Sequence, residues 1–118
     1  MTARLFKALL YAALLFALVM AGLPQAPSLP GSPSDKLLHI GAFGVLAVFA
    51  AAAYPAARLV TVFVCLVCFG GLIEVLQMLP GTQRTASWLD LLADAIAVGS
   101  TLFLIQLVRA MRKYRSDA

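Results

Sequence analysis

Charged residues are scarce in this chain. Asp, Glu, Lys and Arg make up 12% of its 118 residues, whereas soluble domains contain about 25%. With 63% hydrophobic residues, the chain has too little polar surface to cover a soluble globule. It has no internal repeat, no phosphate-binding glycine loop, no nucleophile elbow and no room for a second domain. We therefore expect a single integral membrane domain, 1–118, rather than a soluble protein.

Histidine and cysteine, two common metal ligands, are also rare. His39 is the one histidine, and Cys65 and Cys68 are the two cysteines. The two thiols have the spacing of a redox motif, but they lie among apolar residues in the middle of a predicted span, where we expect them to pack as small buried hydrophobes. A zinc site would need further ligands beside them. We predict no metal and no cofactor; the candidate ligands for a metal, if one were bound, are His39, Glu74, Asp90 and Asp94.

Four long apolar stretches predict transmembrane helices, since a span takes roughly 20 mainly apolar residues. We place the spans at about 5–23, 36–54, 58–79 and 88–108, which predicts an all-α transmembrane bundle of four helices. Prolines after the first stretch cannot continue a helix, so residues 24–34 are predicted to be an outer linker. The dipeptide Tyr54-Pro55 ends the second stretch, and the tight turn after it predicts that spans two and three are antiparallel neighbours.

Basic residues predict the orientation, because short loops rich in Lys and Arg stay on the cytoplasmic side. Seven of the nine fall on one side: Arg4, Lys7, Arg58, Arg109, Arg112, Lys113 and Arg115. Both termini are therefore predicted to be cytoplasmic, and the basic C-terminal tail is predicted to contact anionic lipids of that leaflet rather than nucleic acid. A cleaved signal peptide is the disfavoured alternative for the first stretch, since the apolar run from Ala8 to Leu23 exceeds an h-region of about 7–15 residues.

Polar residues gather at the opposite, outer ends of the last three spans. His39, Glu74 and Asp94 fall at a similar depth, about one to two helical turns below the outer surface. An ionisable residue in hydrocarbon costs about 2.5–3.5 kcal/mol, so a group of them is a candidate functional site. The alternative is a structural network in which Glu74 pairs with Arg84 and Asp90 caps a helix. The candidate ligand-binding residues are Asp35, Lys36, His39, Glu74, Gln77, Arg84, Asp90 and Asp94.

The order of these residues resembles a known family. The elements are Asp35-Lys36-x-x-His39-x-x-x-Phe43, Glu74-x-x-Gln77, Pro80-Gly81, Arg84 and Asp90. Over about residues 34–104 this set is similar to the VanZ-like family of small bacterial integral membrane proteins. The resemblance implies a multi-pass protein of the bacterial cytoplasmic (inner) membrane and a link to low-level resistance to the glycopeptide teicoplanin, but no settled biochemical activity. The family usually has Asn at the position of Asp94 and Gly at that of Ala97, which makes this site more acidic and weakens the expectation of a close helix crossing there.

Three classes of function fit these residues. The first is an accessory protein that binds an outer-leaflet amphiphile, such as a lipid-linked cell-wall precursor or a lipoglycopeptide, with Lys36 and Arg84 at an anionic headgroup. The second is a membrane-embedded enzyme that acts on such a lipid, with or without a metal ion. Its candidate catalytic residues are His39, Glu74 and Asp94. The third is an ion pathway, which is disfavoured because the inner halves of the spans carry no charge. Binding is the prediction we rank first.

Overall fold

A computed structural model describes residues 2–23, 35–80 and 88–118, excepting the side chains of Asp35 and Lys36. These ranges contain no strand, which confirms the all-helical prediction. The four helices are α1 (Ala3–Gly22), α2 (Asp35–Ala53), α3 (Leu59–Gln77) and α4 (Trp88–Asp117). Three of them, α1, α3 and α4, are long and apolar enough to cross a membrane, and α2 contains a shorter apolar stretch, Leu37–Ala53.

The helix ends differ from the predicted spans chiefly in α4. The first three helices begin and end within two residues of the stretches chosen from the sequence, whereas α4 continues past position 108 to Asp117. A helix of 30 residues is about 45 Å long, longer than a hydrocarbon core of about 30 Å. The hydropathy pattern ends where the arginines begin, but Ala, Met, Arg and Lys are good helix formers, so the backbone stays helical beyond the apolar part.

Local signals explain where α1 begins and where α2 ends. Thr2 precedes α1 in an extended conformation, and its hydroxyl oxygen accepts a hydrogen bond from the backbone N–H of Leu5 at 3.3 Å. α2 stops at Ala53, just before Tyr54-Pro55, because the ring of Pro55 disfavours helical backbone at the preceding residue. Only residues 54–58 separate α2 from α3, and the two helices contact each other. They form the antiparallel pair that the sequence predicts.

α2 and α3 occupy the centre of the bundle. Each of them packs against the other three helices, and α2 packs most extensively against α4. Within the described ranges, α1 and α4 do not contact each other. Close approach of α2 and α4 is helped by a small residue, since a Cβ atom at Gly44 would lie 3.6 Å from Thr101 Oγ1. The core between the helices is built around Phe43, Leu46 and Val98, which are almost entirely buried.

The two cysteines lie on the outside of α3. Cys65 and Cys68 are free thiols and both are exposed. The inward face of α3 is formed instead by a stripe of buried residues that includes Leu66, Gly70 and Ile73. The prediction that the thiols are buried is therefore wrong. The run 62–69 around the thiols is apolar on all sides and carries no signal that says which of its faces turns inward.

Candidate functional site

The structure brings His39 and Asp94 together. His39 lies in the second turn of α2 and Asp94 in the second turn of α4, and His39 Nδ1 is 3.1 Å from Asp94 Oδ1. The side chain of Asp94 is 0% exposed, and that of His39 is 16% exposed. Within the described ranges this is the only ion pair. Two of the three residues predicted to lie at one depth thus form a direct contact between helices that are far apart in the sequence.

Gly70 on α3 completes the pocket around Asp94. A Cβ atom at Gly70 would lie 3.0 Å from Asp94 Oδ2, and 3.4 Å from Phe43 Cζ and from Leu91 Cδ1. The carboxylate therefore fits between α2 and α3 because position 70 has no side chain. Asp94 Oδ2 is buried and has no hydrogen-bond partner among the described residues. A buried polar oxygen normally has a partner, so Oδ2 is an exception among the described buried polar atoms.

Aromatic rings close the site on its inner side. Phe43 lies one turn after His39 on α2, and the two rings stack with their centroids 6.4 Å apart and an interplanar angle of 7°. On its other side Phe43 contacts Phe69 of α3 in a tilted arrangement at 6.2 Å. Phe43 is almost fully buried. The His39–Asp94 contact therefore has an apolar layer on the side that leads into the bundle.

Glu74 and Gln77 bring further polar groups to the same end of the bundle. They lie one turn apart at the end of α3, and both are buried, with exposures of 8% and 4%. The end of the bundle that holds the His39–Asp94 contact therefore has two further buried polar side chains.

An apolar groove of about 600 Å³ runs beside this cluster, between α1, α2 and α3. Among the described residues that line it, only His39 and Gln77 have strongly polar side chains, and both lie at the end of the bundle where α2 begins and α3 ends. Met20 and Ala21 line the same end from α1, and Leu46 lies on the wall deeper in the bundle. The groove is therefore apolar along its length and polar at one end.

The contribution of α1 was not foreseen from the sequence. Five of its residues line the groove: Ala13, Phe16, Ala17, Met20 and Ala21. None of them is polar, so a search for chemically active side chains passes over them. The one available signal is the recurrence of Ala13, Ala17 and Ala21 every four residues, which places small side chains on one face where another helix or a ligand can approach.

Other predicted site residues are only partly placed. Asp90 lies one turn before Asp94 on α4 and is half-buried. The described part of the structure does not include Gly81, Arg84, the linker 24–34 or the side chains of Asp35 and Lys36. Among the described residues, no three of His, Cys, Asp and Glu gather closely enough to hold a metal ion. The structure therefore does not gather the candidate metal ligands named from the sequence, which are His39, Glu74, Asp90 and Asp94.

Comparison with other proteins adds no identification. The chain matches no known protein family, no curated protein and no solved structure. The resemblance to the VanZ-like family stays a prediction from the motif residues.

Proposed function

We propose that this chain is a four-span protein of the bacterial cytoplasmic membrane that binds an outer-leaflet amphiphile. The observation that carries the proposal is the groove of about 600 Å³, which is lined by apolar side chains and has His39 and Gln77 near one end. Binding sites for small amphiphiles are mostly apolar with a few polar groups that fix orientation. An acyl or polyprenyl chain would lie along α1 and α2, and the headgroup would meet His39 and Gln77.

The headgroup end has the chemistry for a phosphate or a sugar. A side-chain amide such as that of Gln77 offers both donors and an acceptor, and a histidine bonded through Nδ1 still has Nε2 available. Lys36 and Arg84 are the cations that the sequence assigns to this side of the membrane, and each basic residue near a charged headgroup contributes about 1 kcal/mol. A lipid-linked cell-wall precursor or a lipoglycopeptide fits this combination, in keeping with an accessory role in the envelope or in teicoplanin-type resistance that the VanZ-like resemblance implies.

Four spans with both termini in the cytoplasm complete the proposal. The apolar stretch of α2 has 17 residues, which at 1.5 Å per residue is about 26 Å, close to the hydrocarbon thickness of about 30 Å. α2 also packs against all three other helices, so it belongs in the same layer as they do. Seven of the nine basic residues then lie on the cytoplasmic side.

Retention of a defined lipid tests the binding proposal. The purified protein is reconstituted with a polyprenyl phosphate in an excess of phosphatidylcholine, and the lipids that stay bound are counted by native mass spectrometry. Ala42→Phe places a ring in the groove from α2. Ala12→Phe is the matched control, because Ala12 is exposed on α1 and does not line the groove.

We expect the unchanged protein and Ala12→Phe to retain the polyprenyl phosphate and Ala42→Phe to lose most of it. Equal retention by both variants would mean that the groove is not the binding site. Retention of phosphatidylcholine in proportion to its excess would mean that the groove holds bulk lipid only.

An enzyme acting on the same class of lipid is the second candidate, and a separate observation favours it. His39 contacts the buried Asp94 through Nδ1 and also lines the groove. A carboxylate at one imidazole nitrogen orients the ring so that the other nitrogen can take a proton from a water that attacks the bound lipid. Release of inorganic phosphate from a polyprenyl diphosphate, lost in His39→Gln, would support this candidate; binding without release supports the first.

A further inference from the structure

A second groove lies at the other end of the bundle, beside α4. It has a volume of about 390 Å³ and is lined by Val48 of α2 and by one face of α4. The α4 residues are Thr101, Leu104, Ile105, Val108, Arg109 and Arg112, whose spacing of three and four places them along one side of the helix. Leu104 is 60% exposed. The floor of this groove is thus apolar and uncovered, and two arginines lie at its far end.

Neither arginine has an acidic partner among the residues that the structure describes. Within the described residues, the only ion pair in the chain is between His39 and Asp94, far from this groove. Arg109 is half-buried and donates from Nη2 to the backbone oxygen of Ala51 at 3.2 Å, which holds its guanidinium at the end of α2. A guanidinium has five N–H donors, so this bond leaves others for an anion. Arg112 lies close by, one turn later on α4, and is exposed.

We propose that this groove, formed by Val48, Leu104, Val108, Arg109 and Arg112, is a binding site for one anionic phospholipid. Its phosphate is held between the two guanidinium groups, whose planar donors match phosphate oxygens. One acyl chain follows the apolar floor beside Val48 and Leu104. Under the orientation proposed above, the arginine end faces the leaflet in which anionic lipids are enriched. The site is separate from the amphiphile groove and does not depend on what that groove binds.

A second copy of this chain is a poorer occupant for the same surface. A two-fold symmetric contact would place the same face of α4 against itself. Arg109 and Arg112 of both copies would then meet, and none of the described residues that line the groove is a carboxylate that could neutralise them. A lipid supplies both the negative charge and the apolar chain that the groove requires.

Competition between lipids tests the site. The protein is reconstituted in equal amounts of phosphatidylglycerol and phosphatidylcholine, and the bound lipids are counted by native mass spectrometry. Arg112→Gln removes a groove arginine, and Arg115→Gln is the matched control, because it removes the same charge from the exposed tail but does not line the groove. Leu104→Trp fills the floor without changing the charge.

We expect preferential retention of phosphatidylglycerol by the unchanged protein and by Arg115→Gln. Arg112→Gln should lower that preference about fivefold, which corresponds to about 1 kcal/mol for one basic residue, and Leu104→Trp should also lower it. An equal loss in Arg112→Gln and Arg115→Gln would show a diffuse attraction of the basic tail and would overturn the site. Equal retention of the two lipids by the unchanged protein would overturn it as well. Thermal unfolding of each variant verifies that the bundle is intact.

Discussion

Gly70 of α3 lies directly against the buried carboxylate of Asp94 on α4, so close that a methyl group at position 70 would press on that carboxylate. A Cβ atom at position 70 would be 3.0 Å from Asp94 Oδ2, while the other oxygen, Oδ1, is bonded to His39. A methyl group at position 70 would therefore require a shift of the carboxylate or of α3 at the point where α3 packs over the site.

This relationship predicts that Gly70→Ala destabilises the protein. Overpacking a well-filled interior typically costs about 1–3 kcal/mol. Gly71→Ala is the matched control, because a Cβ atom there meets nothing within 4 Å, and Ala is the better helix former. In thermal unfolding in detergent we expect a lower Tm for Gly70→Ala and an unchanged or higher Tm for Gly71→Ala. Equal Tm values in the two variants would contradict the close packing at Asp94.

Asp94→Asn separates the hydrogen-bonding role of Asp94 from its charge. Asn has nearly the same shape and can still accept a hydrogen bond from His39, so we expect the fold and the retention of polyprenyl phosphate to be kept. Asp94→Leu removes the partner of His39 and should destabilise the protein by about 1–3 kcal/mol. The measurements are Tm, lipid retention and teicoplanin susceptibility of cells expressing each variant. Loss of retention or of resistance in Asp94→Asn, with the fold intact, would show that the charge itself is required and would favour the enzyme.

The proposed topology predicts which positions are accessible from outside the cell. In a background that lacks Cys65 and Cys68, Ser32→Cys and Thr85→Cys should react with an impermeant thiol reagent added to intact cells. Ala56→Cys, in the exposed turn between α2 and α3, and Ser116→Cys, at the end of α4, should react only after the cells are opened. Labelling of Ser116→Cys in intact cells would reverse the orientation.

Tyr54 is predicted to hold α1 against the rest of the bundle at its inner end. Its hydroxyl is hydrogen-bonded to that of Tyr11, and Lys7 Nζ lies 4.9 Å from the centroid of its ring. A neutral hydrogen bond contributes about 0.5–1.5 kcal/mol and an exposed cation–π contact about 0.5–1 kcal/mol. Tyr54→Ala should therefore lower the stability more than Tyr54→Phe, which keeps the ring.

Tyr114→Ala is the control for that comparison, since Tyr114 is one of the most exposed aromatic residues of the chain. The measurement is thermal unfolding in detergent, combined with the rate at which a protease releases α1. An effect of Tyr114→Ala as large as that of Tyr54→Ala would show that the contact with α1 contributes nothing specific.

The helices and their chain order could be predicted from the sequence, because both depend on local properties. A run of about 20 apolar residues forms a helix in a membrane whatever it packs against, since its backbone groups have no other partners. Proline after Tyr54 likewise ends α2 through a local steric effect. Even the grouping of His39, Glu74 and Asp94 at one end follows from their positions along the helices. The helical continuation of α4 to Asp117 was missed because hydropathy records where a span ends and not where a helix ends.

Only the tertiary structure decided which side chains meet. The rotation of each helix about its axis sets whether His39 faces Asp94, whether Gly70 or Cys68 turns inward, and whether α1 contributes to a groove. The run 62–69 of α3 is apolar on every side, so hydrophobicity does not distinguish the faces of that run, and its rotation is set by how side chains of neighbouring helices fit together. That fit joins residues 55 positions apart in the chain, such as His39 and Asp94, and no property of either local segment determines it.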